Sequence, residues 1–227
     1  MTIERKDEAL DNFYSGKRIL ITAGPTVEPI DDVRFISNRS SGKMGYALAK
    51  TASDLGATVT LVSGPVHLSP PDRITTINVQ TAQEMYQAAI DIFPNTDIAI
   101  MSAAVADFAP AAKANGKIKK ENIGDEMIIR LKKTKDILAE LSATKNKNQI
   151  VVGFALESEN EIDNGIKKLQ RKKCDMIVVN STSKPDSGFD GEKNTITIIT
   201  ATGNSRSFPP MLKSACAVEI FKMITEL

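Results

Sequence analysis

Four groups of residues have the types and spacing to do chemistry. Ser37-Asn38-Arg39-Ser40-Ser41-Gly42-Lys43-Met44-Gly45 crowds small and hydroxylated residues ahead of an Ala/Leu-rich helix. At such a helix N-terminus, backbone N–H groups and hydroxyls converge where the macrodipole favours an anion, so the pattern predicts a phosphate seat. A plain helix cap uses the same residue types, so the neighbours must decide. Lys117-Ile118-Lys119-Lys120 falls in 111–122, an Ala/Lys/Asn/Gly-rich stretch without periodicity. Alone it reads as a solvated charge run; just after a ligand-facing strand end it becomes a mobile flap whose ammonium groups meet a polyphosphate. Lys168 and Lys172 are neighbours at i, i+4 on a helix spanning 161–173, either an exposed basic face or a pair beside a nucleotide. Ala103, Ala104 and Asp107 end an apolar run, and small side chains there let a flat ligand approach the backbone.

Each has a bland reading as well. Asp107 can form a turn before Pro110, Phe154 can be core, and Asn38 and Asn180 can be turn residues. The single His67 lies in a Pro-flanked loop, and Cys174 and Cys216 form no CxxC pair. No zinc cluster and no Ser/His/Asp or Cys/His arrangement can be assembled from these, and the two cysteines read as buried, reduced thiols. What is left is a site of amides, lysines and backbone N–H groups. Such a site suits charge moving among phosphates around an electrostatically stabilised centre.

The elements that must position these groups alternate. Residues 17–26 give a basic start, a strand-length apolar run and a Gly-Pro break, the first strand of an open α/β sheet with its ligand beyond the carboxyl end. Residues 26–36 are too long for a dinucleotide-type tight turn. A helix to about Leu55 follows, then strands at 57–65 and 74–79. Thr81 with Glu84 makes a capping box for a helix from Ala82 to Phe93. Further strands are expected at 97–106, 127–131, 150–155 and 175–180, and helices at 136–143, preceded by Thr134, and 161–173. Asn194 to Ala201 alternates like a half-exposed antiparallel edge strand, and a last helix starts near Lys213. The fold class is α/β, a Rossmann-like, mostly parallel sheet flanked by helices with an antiparallel edge and a lysine-bearing loop. A single domain over 1–227 is expected, with 1–16 as a polar lead-in helix.

Composition narrows the partners. The 227 residues are 41% hydrophobic and 25% charged, the balance of a globular protein. A formal net charge of +1 gives no broad basic surface for nucleic acid, so anion binding must be local. No apolar run reaches the roughly 18 residues of a membrane span and the N-terminus lacks a signal-peptide core, which reads as cytoplasmic.

Several blocks in chain order resemble one family. Gly24-Pro25-Thr26 with Glu28-Pro29, Ile36-Ser37-Asn38 with Ser40-Ser41-Gly42-Lys43-Met44-Gly45, and Ala103-Ala104-Val105-Ala106-Asp107-Phe108 with Pro110 resemble bacterial phosphopantothenate-cysteine ligase of coenzyme A biosynthesis, as do Lys117-Ile118-Lys119-Lys120 and Val152-Gly153-Phe154-Ala155 with Glu157. The likeness covers about residues 17 to 225. It implies attack of the 4′-phosphopantothenate carboxylate on the α-phosphate of CTP, giving an acyl-cytidylate and pyrophosphate, then displacement of CMP by the amine of L-cysteine. Mg²⁺ is implied as phosphate counter-ion, with ligands the resemblance leaves unknown, and no flavin. By motif, Asn38 would contact the acyl-phosphate group, Ser40, Ser41, Gly42 and Gly45 would line the anion seat, and Ala103, Ala104 and Asp107 would border the substrate and cytosine. Lys117 would meet the triphosphate; Phe154, Lys168 and Lys172 would complete the nucleotide pocket, with Lys135, Asp136, Ile137 and Leu138 alongside. Thr134-Lys135 stands where the family usually has Pro or Asn-Pro before that aspartate. The resemblance further implies a homodimer whose subunits complete each other's sites, and a stand-alone form whose flavin-dependent decarboxylase is a separate protein.

Two other classes compete. A Rossmann-type NAD(P)-dependent oxidoreductase would use the same first-strand geometry, but no GxGxxG follows Ile21 and no acidic residue clearly ends the second strand. A non-catalytic nucleotide-binding regulator would fit the seat yet gives no reason for two further lysine sites.

Overall fold

Arg18–Ala23 (β1) is buried at every position after Arg18, as a strand covered on both faces must be. The computed structural model describes residues 8–119, 121, 124–181 and 191–227. Ahead of β1 lies helix α1 (Glu8–Tyr14); after it come the strands β2 (Val27–Pro29) and β3 (Phe35–Ser37), α2 (Lys43–Asp54), β4 (Thr58–Ser63), β5 (Thr75–Asn78) and α3 (Ala82–Ile92). Next are β6 (Ile98–Met101), β7 (Phe108–Pro110), β8 (Leu131–Lys133), α4 (Ile137–Thr144), β9 (Ile150–Glu157) and α5 (Glu161–Lys172). The chain closes with β10 (Met176–Ser181), β11 (Lys193–Asn194), β12 (Ile196–Thr200), β13 (Ser205–Ser207), β14 (Met211–Leu212) and α6 (Lys213–Ile224).

The main sheet has the order β13-β12-β10-β9-β6-β1-β4-β5. The run β5-β4-β1-β6-β9-β10 is parallel throughout, and β12 and β13 add antiparallel pairs at one side. Reading the parallel strands in chain order, the chain moves outward from β1 through β4 to β5, then returns to β6 on the other side. That reversal places a crevice at the carboxyl ends of β1 and β6.

Alternate side chains of β1 feed two apolar layers. Ile19 and Ile21 join residues of α1, α2 and α6, including Leu48, Phe221 and the fully buried Tyr14, whose hydroxyl donates to the Phe221 carbonyl at 2.6 Å. Leu20 faces the other way, with Met85 of α3, Leu138 and Leu141 of α4 and Leu169 of α5. Each such fully buried aliphatic side chain contributes roughly 1.5–3 kcal/mol. The helix expected at Ala82 carries the expected capping box, with Thr81 accepting from Glu84 N and the Glu84 carboxylate reaching back to the Thr81 N–H.

Residues 26–36, too long for a tight turn, fold into the β2–β3 hairpin, with Val27 opposite Ser37. Three local expectations are corrected. The strand expected at 127–131 lies instead at Leu131–Lys133, pulled into register by pairing with β7, Phe108 opposite Lys133. Helix α4 is capped by Asp136, which accepts from Ala139 N at 3.0 Å, while Thr134 donates instead to the Ala106 carbonyl at 2.6 Å. Finally β12 is almost wholly buried, because β13 pairs outside it and takes the edge.

Candidate active site

The anion seat is built by close packing. Gly42 caps α2 with a left-handed backbone, φ +78°, and a Cβ there would stand 2.7 Å from Val66 Cγ1. Only glycine meets both demands. One turn on, a Cβ at Gly45 would lie 2.4 Å from Ala23 Cβ and 2.9 Å from Ser102 Oγ. The first turn of α2 therefore rests directly on the end of β1 and on the chain leaving β6. Gly42 has no side chain to cap that helix end, its N–H donates to Ser40 Oγ at 3.4 Å, and residues 40–45 bring the first turn to the cleft wall.

The floor is the segment after β6, zipped along 22–26. Ala103 N donates to Thr22 Oγ1 at 3.3 Å, Ala104 N to the Gly24 carbonyl at 2.9 Å, and Ala106 N to Thr26 Oγ1 at 3.0 Å. Methyl side chains on a pinned backbone leave a flat surface, as the small residues there predict. Asn38 is exposed at the rim, and its amide donates to the Ala104 carbonyl at 3.0 Å.

Two adjoining cavities meet over this floor. The first, about 240 Å³, is lined by Ser40, Ser41, Gly42, Gly45, Ala103 and Ala104. The second, about 720 Å³, brings in Lys135, Asp136, Ile137, Leu138 and Lys172. Ala103, Asp107, Phe154 and Lys168 belong to both. Phe154 is half-buried at this junction rather than plain core.

The α5 lysines face the cleft from the side. Lys168 is half-buried and donates to the Phe154 carbonyl at 2.8 Å. Burial pulls its ammonium below the usual lysine range, against the charges of Glu157 and Asp107, which favour the charged form. Lys172 is paired with Asp136, and burial lowers it likewise against the charge of Asp107. These are not the solvated face that a bland reading would give. Ile137 and Leu138 are buried core side chains, so only their backbone can serve a ligand, while Lys135 Nζ sits 4.2 Å from the Tyr86 ring centroid.

Lys117 is placed elsewhere. It is exposed and lines neither cavity, and its neighbours are fastened to the β2–β3 hairpin. Ile118 N donates to Asp31 Oδ2 at 3.1 Å, the Ile118 carbonyl accepts from Arg34 Nη2 at 2.9 Å, and Ala114 N donates to the Ile30 carbonyl at 2.9 Å. The Arg34 guanidinium and three backbone N–H groups hold the buried Asp31 carboxyl well below the usual carboxylate range. Lys120, in the same expected flap, lies outside the described residues.

Residue types alone did not single out Lys43, Asn194 or Lys213, which also line the first cavity. Lys43 pairs with Glu192, and Lys213 is buried and donates to the Gly191 carbonyl. Asn180 is no turn residue: it is a buried member of β10, facing the same cavity. A buried amide ending one apolar strand and another opening the next were the available signals. Cys174 and Cys216 are free and buried, and burial pushes both thiols up to about 11.

An open sheet wound outward from β1, with a helix N-terminus, two lysines and a carboxylate around its switch point, defines a Rossmann-like protein with a crevice of the kind in which such folds take ligands. The chain belongs to the family described as the DNA/pantothenate metabolism flavoprotein C-terminal domain, whose pattern matches residues 14–227. It is 50% identical over 223 residues to a protein of an unknown prokaryotic organism named cysteine/cysteine sulfinic acid decarboxylase, covering 98% of this chain and 62% of that one. It is 47% identical over 211 residues to the coenzyme A biosynthesis bifunctional protein CoaBC of Vibrio vulnificus (strain YJ016), covering 93% and 52%. The chain thus spans half to three-fifths of the length of these curated relatives. The crystal structure of the C-terminal domain of a coenzyme A biosynthesis bifunctional protein CoaBC superposes with a TM-score of 0.78 at 43% identity, covering 92% of this chain and 94% of that domain.

Proposed function

We propose that this chain ligates 4′-phosphopantothenate to L-cysteine at the expense of CTP. The observation that carries the reading is the pair of cavities joined at Asp107, Phe154 and Lys168, one ending on an open helix N-terminus and the other on a second lysine. A substrate with an anionic group and a nucleotide fit that shape together. In the first step a carboxylate oxygen of 4′-phosphopantothenate attacks the α-phosphorus of CTP; the bond to the bridging oxygen breaks and pyrophosphate leaves. In the second, the cysteine nitrogen attacks the acyl carbon, a C–N bond forms, the C–O bond to CMP breaks, and the protons lost from the ammonium pass to solvent.

The residues take roles that follow from their places. The N–H groups at Ser41, Gly42 and the first turn of α2 hold an anionic group beside Ser40 and Gly45, and the pinned backbone of Ala103 and Ala104 lies against the acyl chain. Asn38 at the rim turns its amide to the acyl phosphate. Lys168, Lys172 and the backbone of 135–138 receive the nucleotide, with Asp107 between the two ligands.

Among the described residues no group of three metal-ligating side chains comes together. Mg²⁺ would be carried on the nucleotide phosphates and neutralise their charge, with Asp107 the carboxylate that lines both cavities. A homodimer accounts for the exposed Val33, Phe35, Phe108 and Leu131 on the two small hairpins, and for Lys117, which rides on one of them and would serve the partner's site. Among the described residues no helix is long and apolar enough to cross a membrane, consistent with work on polar metabolites in the cytoplasm.

The NAD(P) alternative loses its support, because a hairpin replaces the tight glycine turn after β1 and β4 ends in the packed Ser63-Gly64. The test is pyrophosphate release from CTP in the presence of 4′-phosphopantothenate and absence of cysteine. Release dependent on 4′-phosphopantothenate supports the reading. Release that appears only with cysteine argues against a separately formed acyl-cytidylate, and cysteine turnover without CTP would favour the chemistry in the name of the 50%-identical relative.

A further inference from the structure

The first cavity has a chemically distinct far end. Its near end is the anion seat, made of donors; its far end contains two acceptors that accept nothing from the described residues. Asn180 is 9% exposed and Asn194 is 2% exposed, and the Oδ1 of each has no hydrogen-bond partner among the described residues. An orphaned buried carbonyl costs about 1–3 kcal/mol, so two on one cavity wall point to donors that a ligand brings.

The sheet explains why both amides arrive together. Asn180 lies opposite Ile196 in the antiparallel β10–β12 pair, and Asn194 is two residues before Ile196. Asn194 itself ends β11, which pairs with β14, and it lines the same cavity as Asn180. Ile196 packs in the layer of α2 and α6, so the amides open toward the N-terminal ends of those helices. Among the described residues the Asn194 amide nitrogen makes a weak contact, to Met44 Sδ at 3.6 Å. Lys213, the first residue of α6, lines the same end and is 6% exposed.

Resting on the ligase reading above, we infer that Asn180, Asn194 and Lys213 form the subsite for the amino-acid substrate, with the amine donating to the two Oδ1 atoms and the carboxylate drawn to Lys213. A phosphate dianion would leave both amide carbonyls unsatisfied, since it brings no N–H donors. An α-amino acid carries N–H donors and a carboxylate on one carbon, the pairing this wall offers. Held by two N–H bonds, a neutral amine keeps its lone pair free, and the cavity continues past Phe154 to Asp107, where the nucleotide cavity begins.

The experiment is steady-state kinetics on Asn194→Ala, with Lys213→Met as the second variant, each also assayed for pyrophosphate release without cysteine. Asn194→Ala should raise the KM for cysteine about tenfold while the KM values for CTP and 4′-phosphopantothenate move less than twofold. The melting temperature should stay near wild type, because the Oδ1 accepts no hydrogen bond from the described residues. Lys213→Met should erase any preference for cysteine over cysteamine, which lacks the carboxylate. Unchanged KM for cysteine, or a rise confined to 4′-phosphopantothenate, whose hydroxyl and amide are also donors, overturns the subsite. If wild-type protein releases no pyrophosphate from CTP with 4′-phosphopantothenate, the ligase reading itself falls and takes the subsite with it. A variant that folds poorly is replaced by Asn180→Ala, for which the same outcomes decide.

Discussion

Gly45→Ala puts the packing of the anion seat under the most direct test. The new Cβ would stand 2.4 Å from Ala23 Cβ and 2.9 Å from Ser102 Oγ, against roughly 3.5–4.0 Å for ordinary carbon contacts. About an ångström must be found, and Ala23 cannot supply it, being fully buried in the central strand. Helix α2 must move, against its packing on α6. Overpacking of this kind costs about 1–3 kcal/mol. At roughly 2–4 °C per kcal/mol for a chain of this size, the melting temperature should fall by about 2–12 °C. The same shift lifts the first-turn N–H groups from the bound anion, and a displacement near 1 Å can cost on the order of a hundredfold in rate. Differential scanning fluorimetry and the pyrophosphate assay read the two effects, and Ala23→Gly supplies the control: removing the opposing methyl should recover part of both losses in the double variant. Wild-type melting and rate in Gly45→Ala, or strict additivity with Ala23→Gly, would refute this account of why the helix starts where it does.

Other outcomes follow from particular contacts. Lys168→Gln and Lys172→Gln should each weaken CTP about ten- to a hundredfold, as expected for a charged hydrogen bond, and added CTP should raise their melting temperatures less than that of wild type; a normal ligand-induced shift in both removes the nucleotide pocket proposed here. Lys117→Gln and Asn38→Ala should each be impaired with unchanged melting, and mixing the two chains should restore activity neither has alone if Lys117 serves the partner's site; no recovery on mixing would refute the shared site. Burial raises the Tyr14 phenol far above its ordinary value near 10, so the native state keeps a proton that the unfolded state loses. Stability should therefore fall as pH rises beyond about 10, and the Tyr14→Phe variant should show a flatter decline in alkaline urea melts.

The elements were legible where one local rule acted alone. The capping box at Thr81 needs only Glu84, three residues away, and the break after β1 needs only Gly24-Pro25. Errors came where a distant partner decided. Phe108 to Pro110 set the register of β8, so the strand expected at 127–131 moved to Leu131–Lys133. β13 covered β12, so an alternating pattern that read as half-exposed became buried. Asp136, expected to open a helix, caps it instead, and Thr134 ahead of it gives its hydroxyl to the Ala106 carbonyl.

The site divides along the same line. Its donor half is written in consecutive residues, 40–45 and 103–107, because a helix N-terminus and a strand end are local objects. Its far end is assembled across the chain: Lys43 meets Glu192 at a separation of 149 residues, and Asn194 meets Met44 at 150. No spacing rule spans such intervals, and a lone asparagine after an apolar run resembles any strand end. What reveals it is the fold, since β10 and β11 bring two unremarkable amides to one cavity. The lysines obey the same logic in reverse. Lys117 stood in a basic run yet is exposed, while Lys168, in the equally basic stretch 167–173, is half-buried against a backbone carbonyl. Charge density along the chain marks solvent as readily as it marks a ligand. The surroundings that lower a lysine's proton affinity are what separate the two, and those surroundings are tertiary.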